Sequence, residues 1–118
     1  LSRRIGAMQR IAAGDLASRI IIERKVRTPR EGGPGYTEEW TEWGRLYARL
    51  HPVSGRERFE ADQLHDRALY RFTVRRRTDL TTDMRIRWNG GIYNIRFIGL
   101  TARRERFMTI DAERGELG

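Results

Sequence analysis

The sequence predicts a small all-β domain of about six antiparallel strands, arranged as a closed barrel or a sandwich. Short segments in which apolar and polar residues alternate recur along the chain, which is typical of half-buried strands. Most connections between them are of hairpin length and carry Gly, Pro, Asn or Asp. Strands do not alternate with long helices, so a parallel sheet is not expected. With 118 residues, the chain is long enough for one domain with one modest core.

The first half of the chain supplies an N-terminal arm and two strands. Residues 1–13 space their apolar side chains as a helix does, so we expect a short helix or an extended arm there. Residues 19–26 are rich in β-branched side chains and are predicted to form the first strand. Prolines and glycines interrupt residues 28–36, which are therefore predicted to be a loop. Residues 44–52 then alternate apolar and polar side chains, which predicts a second strand.

The second half of the chain continues the alternation. Four further strands are predicted there, at residues 68–76, 84–88, 93–97 and 106–111. The turn Asn89-Gly90-Gly91 tolerates positive φ angles and is typical of a β-hairpin. The polar residues 112–118 are expected to be a loose tail. The inward-facing positions predict one core, formed by Leu46, Leu50, Tyr70, Phe72, Ile86, Trp88, Ile95 and Phe97.

The longest predicted connection is a polar loop, residues 54–66. Hairpin connections typically have about 2–5 residues, and longer loops usually have a function of their own. This loop carries charges of both signs, which suits pairing between neighbouring subunits. Its two large apolar side chains could not be well buried by a lone subunit. The candidate functional residues are Arg56, Glu57, Arg58, Phe59, Glu60 and Leu64.

The charge of the chain predicts contact with a polyanion. Its net charge is +8 and its isoelectric point is about 11.1, so nucleic acid is the first candidate partner. The strand pattern places Tyr70, Phe72 and Trp88 in the core, where they cannot serve as stacking platforms for single strands. The arginines on the opposite faces would attract phosphates without reading bases, so weak, salt-sensitive DNA binding is expected. A small basic OB-like nucleic-acid-binding module is the alternative interpretation.

The residues that carry chemistry in enzymes and metal sites are missing or badly spaced. The chain has no cysteine, and His51 and His65 lack further ligands at metal-binding spacing. The carboxylates of residues 38, 39 and 42 are interpreted as a charged loop that leads into the second strand. Neither a phosphate-binding glycine loop nor a nucleophile elbow occurs, so we expect no catalysis and no cofactor. No apolar run approaches the roughly 20 residues of a membrane-spanning helix.

Four segments follow one another in the order and spacing of a known protein family. They are Gly14-Asp15-Leu16 with Arg19-Ile20-Ile21-Ile22; Trp40 with Tyr47-Ala48-Arg49-Leu50 and Pro52-Val53-Ser54-Gly55-Arg56-Glu57; Asp79-Leu80-Thr81-Thr82-Asp83-Met84-Arg85-Ile86; and Gly90-Gly91-Ile92-Tyr93-Asn94-Ile95. Through these segments, residues 14–111 resemble the phage head–tail joining family, the head-closure or stopper proteins of the head–tail connector. Each motif is a single strand with its turn, so the specificity lies in their order and spacing.

The resemblance implies a β-barrel subunit that assembles into a ring, a hexamer or a dodecamer, in a tailed phage, a prophage particle or a gene transfer agent. A portal-bound adaptor would lie above the ring and tail terminator or other tail proteins below, with double-stranded DNA passing through the lumen. The resemblance also implies that the loop at residues 54–66 reaches toward the channel, where Arg56 and Arg58 could face phosphates. The expected location is the neck of the virion or virus-like particle, after assembly in the bacterial cytoplasm.

Overall fold

Six antiparallel strands form the described part of the chain, which in this computed structural model comprises residues 13–53, 68–99, 101 and 104–115. The strands are β1 (Ser18–Pro29), β2 (Tyr36–Pro52), β3 (Leu69–Arg75), β4 (Arg85–Trp88), β5 (Gly91–Gly99) and β6 (Phe107–Arg114). A short 3-10 turn, Ala13–Asp15, precedes β1. The predicted all-β class and antiparallel order are confirmed. The predicted N-terminal helix or arm lies almost entirely outside the described residues.

The sheet closes on itself in the order β1-β2-β3-β6-β5-β4, which makes the fold a barrel. The closing contact pairs β1 with β4 through Ile21↔Arg87, Ile22↔Ile86 and Glu23↔Arg85. A closed sheet has no edge strand along its barrel portion, so strand addition by another chain is blocked there.

Alternating side chains of all six strands fill the barrel interior. The fully buried apolar side chains include Phe72, Ile20, Ile22, Ile86, Met108, Ile110 and Val74. Within the predicted core, Phe72, Ile86 and Ile95 are buried, and the partly buried members packed against them are Leu46, Leu50, Tyr70 and Trp88. Tyr93 joins the aromatic part of this core, with its ring edge-on to Tyr70 and Phe72 at 5.4 and 5.6 Å between centroids.

Phe97 is the member of the predicted core that the structure places outside, with 61% of its surface exposed. The pairing of β5 with β6 shifts by one residue between Ile95 and Phe97, so Arg96 is the extra residue of a β-bulge. A bulge reverses the in–out alternation beyond it. Ile98, rather than Phe97, therefore packs against the core.

Two predicted boundaries are also wrong. β2 begins at Tyr36, so the expected charged loop before residue 44 is a strand, and Glu38 is paired opposite Arg27 in it. Both faces of this stretch are largely exposed, so it lacks the apolar alternation that marks a half-buried strand. At the other end of the chain, Ala112 is fully buried and β6 continues to Arg114, where a loose tail was expected.

The bulge in β5 predicts opposite outcomes for two phenylalanines that the sequence pattern treats alike. Phe72→Ala should lower the free energy of unfolding by about 3–5 kcal/mol, because it empties the centre of the core. Phe97→Ala should change it by less than about 0.5 kcal/mol, because the ring is exposed. Urea denaturation followed by Trp fluorescence measures both. Equal losses in the two variants would contradict the reversed alternation.

Candidate functional site

The barrel has two differently built ends, and the longest strand connects them. β2 starts at the tip of the β1–β2 hairpin and ends at Pro52, next to the start of β3. The Val53 N–H donates a hydrogen bond to the Leu69 carbonyl at 2.9 Å, so the chain leaves and re-enters the barrel at one point. The segment between them, residues 54–67, therefore departs from the end opposite to the hairpin tip. All six candidate residues of the predicted functional loop fall in this segment, outside the described residues.

The β1–β2 hairpin continues past the barrel as a two-stranded arm, residues 24–41. β1 pairs with β4 only as far as Glu23, whereas its pairing with β2 continues to Pro29↔Tyr36. At the tip of the arm, Gly32 and Gly35 have φ angles of 72° and 97°, a left-handed conformation that side chains with a Cβ rarely adopt.

Cations and aromatic rings alternate along one face of the arm. The Lys25 Nζ lies 5.1 Å from the centroid of Trp40, and the Arg27 guanidinium lies 4.8 Å from that of Tyr36. Arg85, from the barrel, lies over the same Trp40 ring at 4.2 Å and so ties the base of the arm to β4. An isolated two-stranded hairpin is marginally stable in water. The arm is therefore a candidate for contact with a further protein surface.

The carboxylates on one side of the barrel's outer face are buried beneath arginines. Arg85 Nε and Arg87 Nε donate to the two oxygens of Glu23 at 2.7 and 3.2 Å. On the neighbouring strands the pairs are Arg71 with Asp111, at 2.7 and 3.0 Å, and Arg96 with Glu113, at 2.9 Å. Each carboxylate is less than a tenth exposed. Each buried carboxylate, on β1 or β6, is thus paired with at least one arginine of β3, β4 or β5.

The outer face of β1, β2 and β3 is different, because arginines there lack carboxylate partners. We call Arg19, Arg49 and Arg75, together with Tyr47 at their centre, the basic patch. The three arginines are exposed, and none forms an ion pair with a described residue. Tyr47 is 55% exposed, and the Arg19 guanidinium lies 5.8 Å from its ring centroid. The alternation of residues 44–52 is enough to predict that Tyr47 points outward. Its neighbours on β1 and β3 follow only from the pairing register of the strands.

A groove opens beside the basic patch, where β3 turns away from β2. The pairing of these strands stops at Arg49↔Thr73, so the segment after β3 diverges from the start of the barrel portion of β2. The groove has a volume of about 610 Å³, and its lining includes Tyr47, Arg75 and Arg76. Two ion pairs stand in or beside it, Arg45 with Glu42 and Arg77 with Asp79.

Hydrogen bonding sets the protonation of these two exposed carboxyls. The Arg77 side chain donates to both oxygens of Asp79 at 2.9 Å and lowers the pKa of that carboxyl below its ordinary value. The bond from Arg45 lowers the pKa of Glu42 in the same way. Both carboxylates are therefore charged at neutral pH, and the groove keeps Arg75 and Arg76 as its cations without an acidic partner among the described residues.

The described residues contain no cluster of three metal-binding side chains. His51 lies on the outer face of β2, and its buried Nδ1 has no hydrogen-bond partner among the described residues. His65 falls outside the described residues. Across the same described part of the chain, no helix has the length and apolar character needed to cross a membrane.

The described residues define a small β-barrel protein with a projecting two-stranded arm and a charged outer face. Residues 11–115 match the phage head completion protein family, and the chain belongs to this family. It is a family of structural proteins, so the chain has a structural role in the phage head and is a virion protein.

Two solved structures share the fold. The solution structure of a protein from Shigella flexneri 2a superimposes with a TM-score of 0.74 at 23% identity, covering 89% of this chain and 97% of that one. A chain in the virion of a native gene transfer agent particle gives a TM-score of 0.55 at 22% identity, covering 80% and 90%. No curated protein matches the sequence.

The buried ion pair where β1 meets β4 predicts unequal effects for the two arginines on Glu23. Arg85→Ala should lower the free energy of unfolding by about 3 kcal/mol, because it leaves a buried carboxylate without its closest partner. Arg87→Ala should cost about 1 kcal/mol or less, because that side chain is half exposed. Urea unfolding of the two variants checks this. A similar small loss in both would mean that the pair does not hold the closing contact.

The Arg77–Asp79 pair predicts a measurable titration change. Because the folded-state pKa of Asp79 is lowered, its contribution to stability is present above about pH 4 and is lost as pH falls through the lowered pKa. Arg77→Ala should return the Asp79 pKa toward its ordinary value. Carboxyl carbon NMR titration of the two proteins measures the difference, and an unchanged Asp79 titration in the variant would contradict the assignment.

Proposed function

We propose that the chain is a subunit of the head–tail connector, a stopper or head-closure protein that forms a ring and joins head to tail. The ring, a hexamer or a dodecamer, would sit at the particle neck beneath a portal-bound adaptor, with tail terminator or other tail proteins below it. Double-stranded DNA would pass through its lumen. The observation that carries the proposal is the match of residues 11–115 to the head completion family, which spans the whole barrel and the arm.

The two ends of the barrel support a position between two different partners. The arm projects from one end, and the long segment of residues 54–67 leaves from the other. A ring that connects a head to a tail needs distinct surfaces above and below. The closed sheet blocks strand addition along its barrel portion, so lateral contacts between subunits would use side-chain faces and projecting segments.

The functional segment in this proposal is the loop at residues 54–66. Arg56 and Arg58 would face the phosphates of passing DNA, and Glu57 and Glu60 would pair with cations of a neighbouring subunit. Phe59 and Leu64 would be buried between subunits. The Val53–Leu69 hydrogen bond supports this assignment, because it brings the two ends of the segment together, so that a turn of a few residues would be enough to join β2 to β3.

The alternative, a free OB-like nucleic-acid-binding module, has less support. An OB-fold is a five-stranded, partly open barrel, whereas this sheet has six strands and closes fully. In this proposal, DNA therefore passes through the connector and is not the ligand of an independent binding module. We also propose that the particle assembles in the bacterial cytoplasm.

Replacing residues 56–64 tests the functional segment. One variant shortens them to a Gly-Ser turn, and a control variant keeps their length as a Gly-Ser chain, so that spacing and side chains are separated. Both should fold, with β-type circular dichroism, because the barrel is closed without them. Both should fail to join heads to tails, or should release packaged DNA. Full retention of transducing or infectious particles would show that the segment is only a linker.

Imaging of the assembled neck at side-chain resolution tests the ring itself. The expected density is a closed ring of this barrel between the portal complex and the tail, with the arm and the segment of residues 54–67 at opposite faces. Purified chain should show ring-sized species by mass photometry under assembly conditions. A particle that joins heads and tails without this chain would contradict the proposed function.

A further inference from the structure

The arginines of the barrel's outer face are distributed unevenly between neutralised and free positions. Arg71, Arg85, Arg87 and Arg96 each hold a buried carboxylate. Arg19, Arg49 and Arg75 of the basic patch are exposed and face no carboxylate among the described residues. Three exposed arginines without an acidic partner among the described residues therefore lie together on the outer face of β1, β2 and β3.

From this asymmetry we infer that the basic patch is a contact surface for the phosphate backbone of duplex DNA. The inference rests on the proposed connector function for the choice of duplex DNA as the polyanion. It assigns the contact to the barrel wall, in addition to the loop residues Arg56 and Arg58. Exposed guanidinium groups bind phosphate oxygens with two parallel hydrogen bonds, and the binding needs no base contact.

The register places the four side chains of the basic patch on one surface. Arg19 is directly opposite Tyr47, and Arg49 is two residues along the same strand, opposite Thr73. Arg75 is two residues beyond Thr73 on β3 and shares the groove lining with Tyr47. Neighbouring strands are about 4.8 Å apart, so the patch spans about 10 Å from β1 to β3. One strand of duplex DNA presents a phosphate about every 3.4 Å of helix axis, so this width faces about three phosphates.

Tyr47 suits a phosphate surface better than a stacking surface. The Arg19 guanidinium lies over its ring at 5.8 Å, so one face of the ring is already occupied by a cation. Its hydroxyl remains available to donate a hydrogen bond to a phosphate oxygen. The surrounding positions, Arg45 and Arg49 along the strand, present charge rather than further aromatic rings. A single-strand platform would use several exposed rings in succession.

A matched pair of triple variants tests the inference with the full chain. Arg19→Gln, Arg49→Gln and Arg75→Gln remove the patch. Arg24→Gln, Arg27→Gln and Arg30→Gln remove three exposed cations from the arm instead. Both variants lower the net charge by three, from +8 to +5. The probe is a fluorescein-labelled duplex of mixed sequence, about 25 base pairs long, and fluorescence anisotropy is read from about 50 to 300 mM NaCl.

The patch variant should bind the duplex at least about tenfold more weakly at about 100 mM NaCl, and its salt slope should fall by up to about 2.7, or 0.9 for each lost phosphate contact. The arm variant should lose less than about threefold. Equal losses would show a response to net charge alone and would overturn the assignment, as would undiminished binding by the patch variant. Tyr47→Ala should weaken duplex binding less than the triple arginine substitution does, because it removes one neutral hydrogen-bond donor and no charge. A preference for single strands that Tyr47→Ala abolishes would also overturn the assignment.

Ring formation and head–tail joining are measured on the same proteins. These measurements distinguish failure of the proposed basic patch from failure of the proposed connector function. A patch variant that forms rings of wild-type mass yet binds the duplex normally would overturn the patch and leave the connector function standing. A wild-type chain that neither forms rings nor joins heads to tails would overturn the connector function instead. If the triple variant alters ring mass, the single substitutions at residues 19, 49 and 75 are compared with the wild-type chain instead. Each should weaken duplex binding by about two- to threefold.

Discussion

The closing contact between β1 and β4 is the constraint on which the rest of the structure depends. Three residue pairs join the first strand to the fourth and turn a six-stranded sheet into a barrel. The contact is held on its inner side by Ile22 and Ile86, both fully buried, and on its outer side by the buried Glu23–Arg85 ion pair. It also ends at Glu23, and β1 and β2 continue beyond that point without β4 as the arm.

The outer layer of the barrel follows from this closure. The interior of a barrel of this size holds one apolar core. The charged side chains must therefore lie on the outer face of the barrel or at its ends. The arginines of the outer face occupy two kinds of position. The arginines paired with buried carboxylates lie on β3, β4 and β5: Arg71, Arg85, Arg87 and Arg96. The arginines of the basic patch, on β1, β2 and β3, leave their charge exposed. The same residue type thus neutralises buried carboxylates at some positions and leaves positive charge on the surface at others.

The arrangement is consistent with a protein whose function is assembly. The described residues provide the arm, the basic patch, and a barrel end where the Val53 N–H donates a hydrogen bond to the Leu69 carbonyl. These three features lie on different parts of one barrel, and in the proposed connector each would contact a different partner. The family shows the structural role, and the geometry suggests how one small domain could meet several partners.

Much of the fold could be predicted from local sequence, because hydrophobic alternation is a local property. The strands of residues 68–76 and 84–88 and the hairpin turn at Asn89 carry their own signals of period and turn chemistry. Burial of Phe72 and Ile86 follows from the same alternation. The resemblance of residues 14–111 to a phage connector family rested on the order of such elements, and family membership confirms a structural phage protein.

Only the tertiary structure decided the features that depend on pairing between distant strands. The bulge that turns Phe97 outward is a feature of the pairing between β5 and β6, and the residues near Phe97 carry no local sequence signal of it. The strand character of residues 36–43 comes from charge and cation–aromatic pairs across the hairpin, such as Lys25 with Trp40, rather than from an apolar face. The basic patch likewise unites residues 19, 49 and 75, which are far apart in sequence. Register is a relation between segments, so the residues of one segment alone could not determine it.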